Sequence, residues 1–581
     1  MTWKENYRRW LHCDKLDGEL RNELDRLKGN QSVLEDCFQT NLEFGTGGIR
    51  GILGPGPNRM NLYTVRKVTE GLALYIAEHG NEAMRRGIVI AYDSRYKSAD
   101  FALEAAKVMG IHGIHSYLFD RLCPTPLLSF AIRHLHAFAG IVITASHNPR
   151  EYNGYKVYGP DGGQLTPVVT DRVLAKMNEV KDELSVATLD EQALRNRGLL
   201  TFVFEDILDA YFSCLEAIRI TPPGSVASSS QVKVVFTPLH GTSGEPIMRA
   251  MSRFGYDQVT IVQEQAYPDP DFSNAVSLNP EEPQAFERAI EYAERLDADL
   301  IFATDPDADR LGVAVKNEQN KYVVLTGNQV GVLLLEYLLS ARKEAALLPA
   351  NGVVLKTIVS SEMARTIARN YGLETIDTLT GFKYIGEKMS EFEHTKEYAV
   401  QFGFEESNGY VTGDFVRDKD SIQAAVLFTD MCAFHKSRGK TVYQALLQLF
   451  SKYGYYREDL FSMQVEGKKG LDQIRKILRF LRETDVADID GSKVTKTEDY
   501  LNGEARNVNQ SAVTRISLPR SDVLKYYLED GSWFCLRPSG TEPKLKLYCG
   551  VKGASLEDSR QKLARLKQSV VDLIGKVHLA E

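Results

Sequence analysis

"GIVITASHN" (residues 140–148) sets an unbroken apolar run directly against a cluster of small polar groups. An apolar run this short, without alternation, reads as a strand buried on both faces. The polar residues after Ile143 then mark the place where that strand surfaces. The same order recurs along the chain. "GIVIAYDSR" (87–95) is followed by the helical "ADFALEAAKVMG", and "VKVVFTPLHGT" (232–242) by "GEPIMRAMSRFG". "ADLIFATDPDADR" (298–310) follows the helical "PQAFERAIEYAERL", and "NGVVLKTIVSS" (351–361) precedes "EMARTIARNYG". Buried strands alternating with helices predict parallel or mixed sheets covered on both faces, with ligands at the carboxyl ends of the strands. The polar loops after these strands are therefore the places to look for chemistry.

The loop "TDPDADR" (304–310) spaces Asp305, Asp307 and Asp309 two apart. In an extended chain such residues share a face, so three carboxylates converge and call for a cation. Oxygen ligands at this density suit Mg²⁺. An EF-hand is excluded, because Arg310 and Lys316 stand where Gly and Glu are required. Arg310 suggests an anion beside the metal. Ser146 has no acidic partner at triad spacing and no nucleophile elbow, so a Ser-His-Asp hydrolase is not indicated. Its hydroxyl at a strand end is instead suited to carry a phosphoryl group, with His147 and Lys156 available for proton transfer or charge neutralisation. A structural, hydrogen-bonding role for His147 is an equal alternative.

Further on, "GFEESNGY" (403–410) supplies Glu405 and Ser407, a carboxylate and a hydroxyl suited to vicinal sugar hydroxyls. "TLTGFKYIG" (378–386) resembles half a P-loop, but Glu387 replaces the required lysine. "RPSGTEPK" (537–544) gathers Arg537, Ser539, Gly540 and Thr541 into a phosphate cradle. "FGTGGIRG" (44–51) presents Thr46 and Arg50 to an anion.

The chain of 581 residues is too long for one core and predicts several domains. Its net charge of −8 leaves no basic surplus for nucleic acid or anionic lipid, so the expected partners are small molecules. The first residues lack the apolar core of a signal peptide, and the longest apolar stretch, "VGVLLLEYLL" (330–339), is too short to span a bilayer. The cysteine count is odd, seven, with no C-x-x-C pair, which predicts free thiols and a cytoplasmic setting. The first forty or so residues read as a helical extension, and 485–515 as polar and irregular. The expected domains are 1–205 (with the serine loop), 206–318 (metal loop), 319–450 (sugar loop) and 451–581 (C-terminal phosphate loop).

The serine, acidic, "FEES" and "RPSGTEP" loops together resemble the α-D-phosphohexomutase superfamily, whose hallmarks occur here in family order. "EFGTGGIRG", "YKVYGPDGGQ" and "FTPLHGT" look most like its long bacterial branch, the Bacillus-type α-phosphoglucomutases related to phosphoglucomutase-2 and phosphopentomutase. The resemblance implies four domains: three α/β mixed-sheet domains of similar topology and a C-terminal α+β domain, with the active site in a central cleft. It implies an isomerase working through phospho-Ser146, with one Mg²⁺ per chain held by that group and Asp305, Asp307 and Asp309. Arg310 and Arg50 would steady the transferring group, Lys156 would lie in the site, and Lys419 would act as acid or base. Glu405 and Ser407 would hold the sugar, with Thr380, Gly381 and Phe382 nearby. Arg537, Ser539, Gly540 and Thr541 would hold the phosphate not in transfer. The implied reaction interconverts glucose 1-phosphate and glucose 6-phosphate through glucose 1,6-bisphosphate, with mannose or pentose phosphates as alternative substrates and a monomer or homodimer as the working form. Two departures stand out: "DPDADR" replaces the commoner D-G-D-G-D-R, and "FEESNG" lacks the leading glycine of G-E-E-S.

Overall fold

The computed structural model describes residues 2–45, 48–220, 231–464, 470–508, 512–538 and 544–579. The described strands form sheets of six, five, four and eight strands. The chain packs into two compact units. The first comprises Met1–Thr326, Phe382–Gly403 and Ser407–Thr441, and the second Gly327–Gly381, Phe404–Glu406 and Val442–Glu581.

In the first unit, β1 (Gly48–Ile52), β2 (Ile88–Tyr92), β3 (Ser116–Phe119), β4 (Ala139–Ile143), β5 (Tyr152–Tyr158) and β6 (Leu200–Val203) make one sheet, ordered β1-β5-β4-β2-β3-β6. Strands β4, β2, β3 and β6 run parallel, with Ile88 opposite both Ala139 and Ser116. Every residue of β4 is buried, as its unbroken apolar run requires. Strand β5 turns back antiparallel to β4, Gly140 opposite Tyr158, and pairs on its other side with β1, Arg50 opposite Gly154.

The second sheet repeats this plan. Strands β7 (Val234–Thr237), β8 (Val259–Ile261), β9 (Leu300–Thr304), β10 (Leu311–Lys316) and β11 (Tyr322–Val324) are ordered β11-β10-β9-β7-β8. Here β8, β7 and β9 are parallel, and β10 folds back antiparallel on β9. The stretch "KNEQNKY" forms the turn from β10 into β11, its antiparallel neighbour. In both sheets a fully buried parallel strand ends in a polar loop and returns as an antiparallel strand. The serine loop joins β4 to β5, and the aspartate loop joins β9 to β10.

Three N-terminal helices, Trp3–Leu11, Gly18–Leu27 and Gln31–Phe38, form the expected extension. Their core sets Trp10 edge-on to Phe38 and Tyr63, and Trp10 Nε1 donates to Glu183 at 2.9 Å.

In the second unit, β12 (Gly352–Thr357) and β13 (Glu374–Thr378) are parallel. Strands β14 (Ala399–Glu405), of which only the last two residues belong to that unit, and β15 (Gly409–Val411), which belongs to the first, flank the turn that carries Ser407. The C-terminal sheet holds β16 (Tyr455–Gln464), β17 (Asp488–Ile489), β18 (Ser492–Asp499), β19 (Glu504–Asn507), β20 (Ala512–Arg515), β21 (Leu524–Leu528), β22 (Trp533–Pro538) and β23 (Lys544–Gly553). Its described pairings are antiparallel. The helices Gly470–Glu483 and Leu556–Leu579 bury Ile474, Leu478, Val570 and Ile574 against Phe534, Leu536 and Leu547. The region 485–515, expected to be irregular, contains four of these strands. Peripheral strands with exposed polar side chains are stabilised by ladder hydrogen bonds, which leave no apolar pattern to read.

Candidate active site

Ser146 follows β4 in a tight turn with φ +51°, and it is almost fully buried. Left-handed backbone is uncommon for a residue with a side chain and usually persists where surrounding contacts enforce it. Here the Ser146 N–H donates to Thr144 Oγ1 at 2.8 Å. The turn aims Ser146 Oγ at Asp305 Oδ2, 2.6 Å away and in the other sheet's loop. His147 Nδ1 lies 3.2 Å from the same hydroxyl.

Asp305, Asp307 and Asp309 are buried, and each offers a carboxylate oxygen within 4.8 Å of the others. They converge through a tight turn, with Ala308 at φ +57°, and not along an extended strand as their spacing suggested. The loop holds itself: the N–H groups of Asp309 and Arg310 donate to Asp305 Oδ1 at 3.2 and 3.0 Å. Neighbouring segments hold it as well. Thr242 donates twice to the Pro306 carbonyl, and Ser421 Oγ donates to the Ala308 carbonyl at 2.6 Å. The Thr125 N–H donates to the Asp307 carbonyl at 2.9 Å. Gly241 lies so close that a Cβ there would sit 2.5 Å from Pro306 Cα.

The electrostatics fit a cation. Asp307 Oδ1 and Asp309 Oδ1 are buried without a hydrogen-bond partner, an expensive state for carboxylate oxygens unless a metal takes them. Burial, reinforced by Asp307 and Asp309, pushes the Asp305 carboxyl well above the ordinary carboxylate range. Burial acts the same way on Asp307, but Lys156 Nζ at 2.8 Å outweighs it and holds that carboxyl well below. Burial disfavours the charge on Lys156 in turn, yet Asp307 and Asp309 raise it, so the ammonium persists. Lys419 Nζ pairs with Asp309 at 3.0 Å and Asp418 at 3.3 Å, and lies 5.6 Å from the Phe382 ring centre. Asp418 also accepts from Tyr158 OH at 2.8 Å. Arg310 donates to Glu281 at 2.5 Å, with Nε 3.9 Å from Asp305 and Asp309. Burial, then the charges of Arg310 and Arg50, hold His147 well below 6.5, so its imidazole is neutral at pH 7.

The first unit thus gathers Ser146, His147, Lys156, Asp305, Asp307, Asp309, Arg310, Lys419 and Phe382. Arg50, exposed on β1, joins them by donating to Asn148 Oδ1 at 2.7 Å. Ser407 begins the stretch that returns the chain to this unit. Thr380, Gly381, Glu405 and Arg537 belong to the second unit. Glu405 is buried at the end of β14, Gly381 has φ +109°, and Arg537 stands on β22 opposite Lys546. Thr46, Ser539, Gly540 and Thr541 lie outside the described residues. The sequence reading missed Thr125, Gly241, Ser421, the Tyr158–Asp418 support of Lys419, and Arg95. Tyr158 ends β5, Thr125 and Ser421 open helices, and only Gly241, Asp418 and Arg95 lie in loops that follow strands.

Comparison with known proteins agrees with this geometry. Residues 41–183, 209–319 and 326–453 match the phosphoglucomutase/phosphomannomutase α/β/α domains I, II and III, and 463–572 the C-terminal domain of the same family. The chain is 38% identical over 536 residues to a phosphoglucomutase of Staphylococcus aureus strain bovine RF122 / ET3-1, covering 92% of this chain and 94% of that one. The phosphoglucomutase of strain MSSA476 is 37% identical over the same length. Among solved structures, a phosphoglucomutase/phosphomannomutase family protein of Burkholderia thailandensis shares the fold with TM-score 0.66 at 18% identity, over 92% of this chain and 97% of that one. The open form of Paramecium parafusin, a phosphoglucomutase, does so with TM-score 0.64 at 15% identity, over 93% and 95%.

Proposed function

Because the chain belongs to the phosphoglucomutase/phosphomannomutase family, we propose that it interconverts α-D-glucose 1-phosphate and glucose 6-phosphate through phospho-Ser146 and glucose 1,6-bisphosphate. The observation that carries this reading is the 2.6 Å contact between Ser146 Oγ and Asp305, which joins a nucleophile in one sheet to a cation site in the other. Asp305, Asp307 and Asp309, with a phosphate oxygen on Ser146, would hold one Mg²⁺. That ion would neutralise charge on the transferring phosphoryl group.

Phosphoryl transfer passes through a loose, charge-spread transition state, so the protein chiefly positions and neutralises. The Oγ–P bond of phospho-Ser146 breaks as a P–O bond forms to the sugar's free hydroxyl. That hydroxyl loses a proton and Oγ regains one. In this half-reaction Lys419, as the free amine, takes the sugar hydroxyl's proton, and His147, 3.2 Å from Oγ and protonated beside the phosphoserine dianion, gives Oγ its proton; in the return half neutral His147 takes the Oγ proton back and Lys419 returns its own. Lys156, Arg310 and Arg50 add positive charge. After the bisphosphate turns over, Ser146 takes back the other phosphoryl group and the isomer leaves. Glu405, Ser407, Thr380, Gly381 and Phe382 are assigned to the sugar, and Arg537, Ser539, Gly540 and Thr541 to the distal phosphate. All seven cysteines are free, which suits a reducing cytoplasm, and no helix among the described residues is long and apolar enough to cross a membrane.

The test is a coupled assay with glucose 1-phosphate, Mg²⁺ and catalytic glucose 1,6-bisphosphate, run beside mannose 1-phosphate and ribose 1-phosphate. Glucose 1-phosphate is expected to give the highest kcat/KM. A preference for ribose 1-phosphate above roughly tenfold, more than the 1.4 kcal/mol that one such factor represents, would overturn the choice of sugar.

A further inference from the structure

Arg95 ends the "AYDSR" stretch after β2, and none of the chemistry above uses it. Its guanidinium is completely buried and yet donates almost entirely to backbone. Nη2 reaches the carbonyls of Ser146 and Asn148, each at 2.5 Å. Nη1 reaches those of Pro149 and Tyr152 at 2.8 and 3.0 Å. One side chain therefore gathers four carbonyls from the loop that carries the nucleophile. Asp93 holds the guanidinium, with Oδ2 at 3.3 Å from Nε, and is itself fixed by Ser98 Oγ and the Arg95 N–H on Oδ1. On the outer side a loop of the second sheet's domain closes over the arginine. Phe272 lies 5.1 Å from it, and Asp271 beside it accepts from Tyr96 OH and Arg150.

The loop's own backbone bonds make two short turns, Asn148 N–H to the Ala145 carbonyl at 3.1 Å and Tyr152 N–H to the Pro149 carbonyl at 3.0 Å, and neither bond ties one turn to the other. The Ser146 N–H is capped by Thr144, but its carbonyl faces inward and needs a strong donor. A fixed planar fork with five N–H groups can serve several carbonyls at once, which an ammonium cannot. We infer that Arg95 is a positioning residue for phosphoryl transfer: its guanidinium locks residues 146–152 so that Ser146 Oγ stays aimed at Asp305. This rests on the reading of Ser146 as the phosphoryl carrier. Arg95 reaches Ser146 through its backbone carbonyl and not through the hydroxyl, so its loss should act on the transfer step and leave substrate binding intact.

The experiment compares the full-length protein with Arg95→Lys, Arg95→Ala and Asp93→Asn. For Arg95→Lys, kcat should fall by roughly tenfold to a hundredfold, the scale of a 1 Å misplacement, with KM within about twofold of the parent. Millimolar guanidinium should restore part of the Arg95→Ala rate, and an equal concentration of ammonium should not. Hydrogen exchange should quicken in 144–152 and stay at the parent rate in β2 and β4. That readout needs no turnover, so a parent inactive on every sugar phosphate would defeat the assigned reaction while the loop claim is still judged. If the Arg95 variants do not fold, Asp93→Asn decides, with a smaller drop in kcat and the same localised exchange. Folded variants that keep kcat within twofold, or that exchange faster everywhere alike, would overturn the inference.

Discussion

The serine loop and the aspartate loop occupy the same place in two sheets of like plan, each between a buried parallel strand and its antiparallel return. Each contains a left-handed residue that is not glycine, Ser146 in one and Ala308 in the other. They are braced from outside in different ways. The aspartate loop is braced by its own backbone, by Pro306 and by short contacts from Gly241, Thr242 and Ser421. The serine loop has two short turns of its own and a bond from Arg50 to Asn148, and one buried guanidinium from a third segment gathers four of its carbonyls. The difference fits the tasks proposed for them. A cation site must hold three repelling carboxylates together before any ion arrives, and this favours built-in rigidity. A nucleophile must gain and lose a bulky dianion each cycle, and this favours an aimed hydroxyl on a loop held from behind.

Four substitutions separate the two loops, beginning with the largest effect. Ser146→Ala should reduce turnover to background and abolish any mass increment of one phosphate in the intact protein, while Mg²⁺ affinity in the unphosphorylated state stays near that of the parent. Mass spectrometry and calorimetry check this. Asp307→Asn should weaken Mg²⁺ binding by about a hundredfold or more, since even outer-sphere changes cost 10- to 100-fold, and it also strips Lys156 of its nearest carboxylate partner. Calorimetric titration measures the loss, and an unchanged affinity would remove these aspartates as the metal site. Gly241→Ala drives a Cβ into the Pro306 backbone and should cost about 1–3 kcal/mol of stability in denaturant titrations. The damage should centre on 304–310 and leave exchange in the serine loop untouched. Ser421→Ala removes one donor to the Ala308 carbonyl and should cost about 1 kcal/mol, with only a slight loss of Mg²⁺ affinity. If Gly241→Ala or Ser421→Ala loosens the serine loop as much as the aspartate loop, the two are not independently braced.

Much of this contrast was legible in the sequence where chemistry is local. An apolar run such as "LIFA" ending in three spaced aspartates identifies both a strand and its functional loop. The meeting of Ser146 with Asp305 could be expected only through the family resemblance, because no pattern of spacing relates positions so distant. Arg95 stayed invisible for a different reason: "DSR" after a strand looks like any polar turn, and nothing in it says that the guanidinium points inward to backbone. The strands in 485–515 were missed because ladder bonds at a sheet periphery place no demand on side-chain polarity.

The discontinuity of the first unit has a temporal consequence. Lys419, which neutralises Asp309, is encoded after the second unit's opening stretch, Gly327–Gly381. A growing polypeptide therefore carries Ser146 and the acidic trio while still lacking one of the two lysines that pair with Asp309. The assembly becomes complete only when translation is nearly three-quarters done, and a nascent protein halted earlier would expose a half-balanced pocket to whatever divalent ions surround the ribosome.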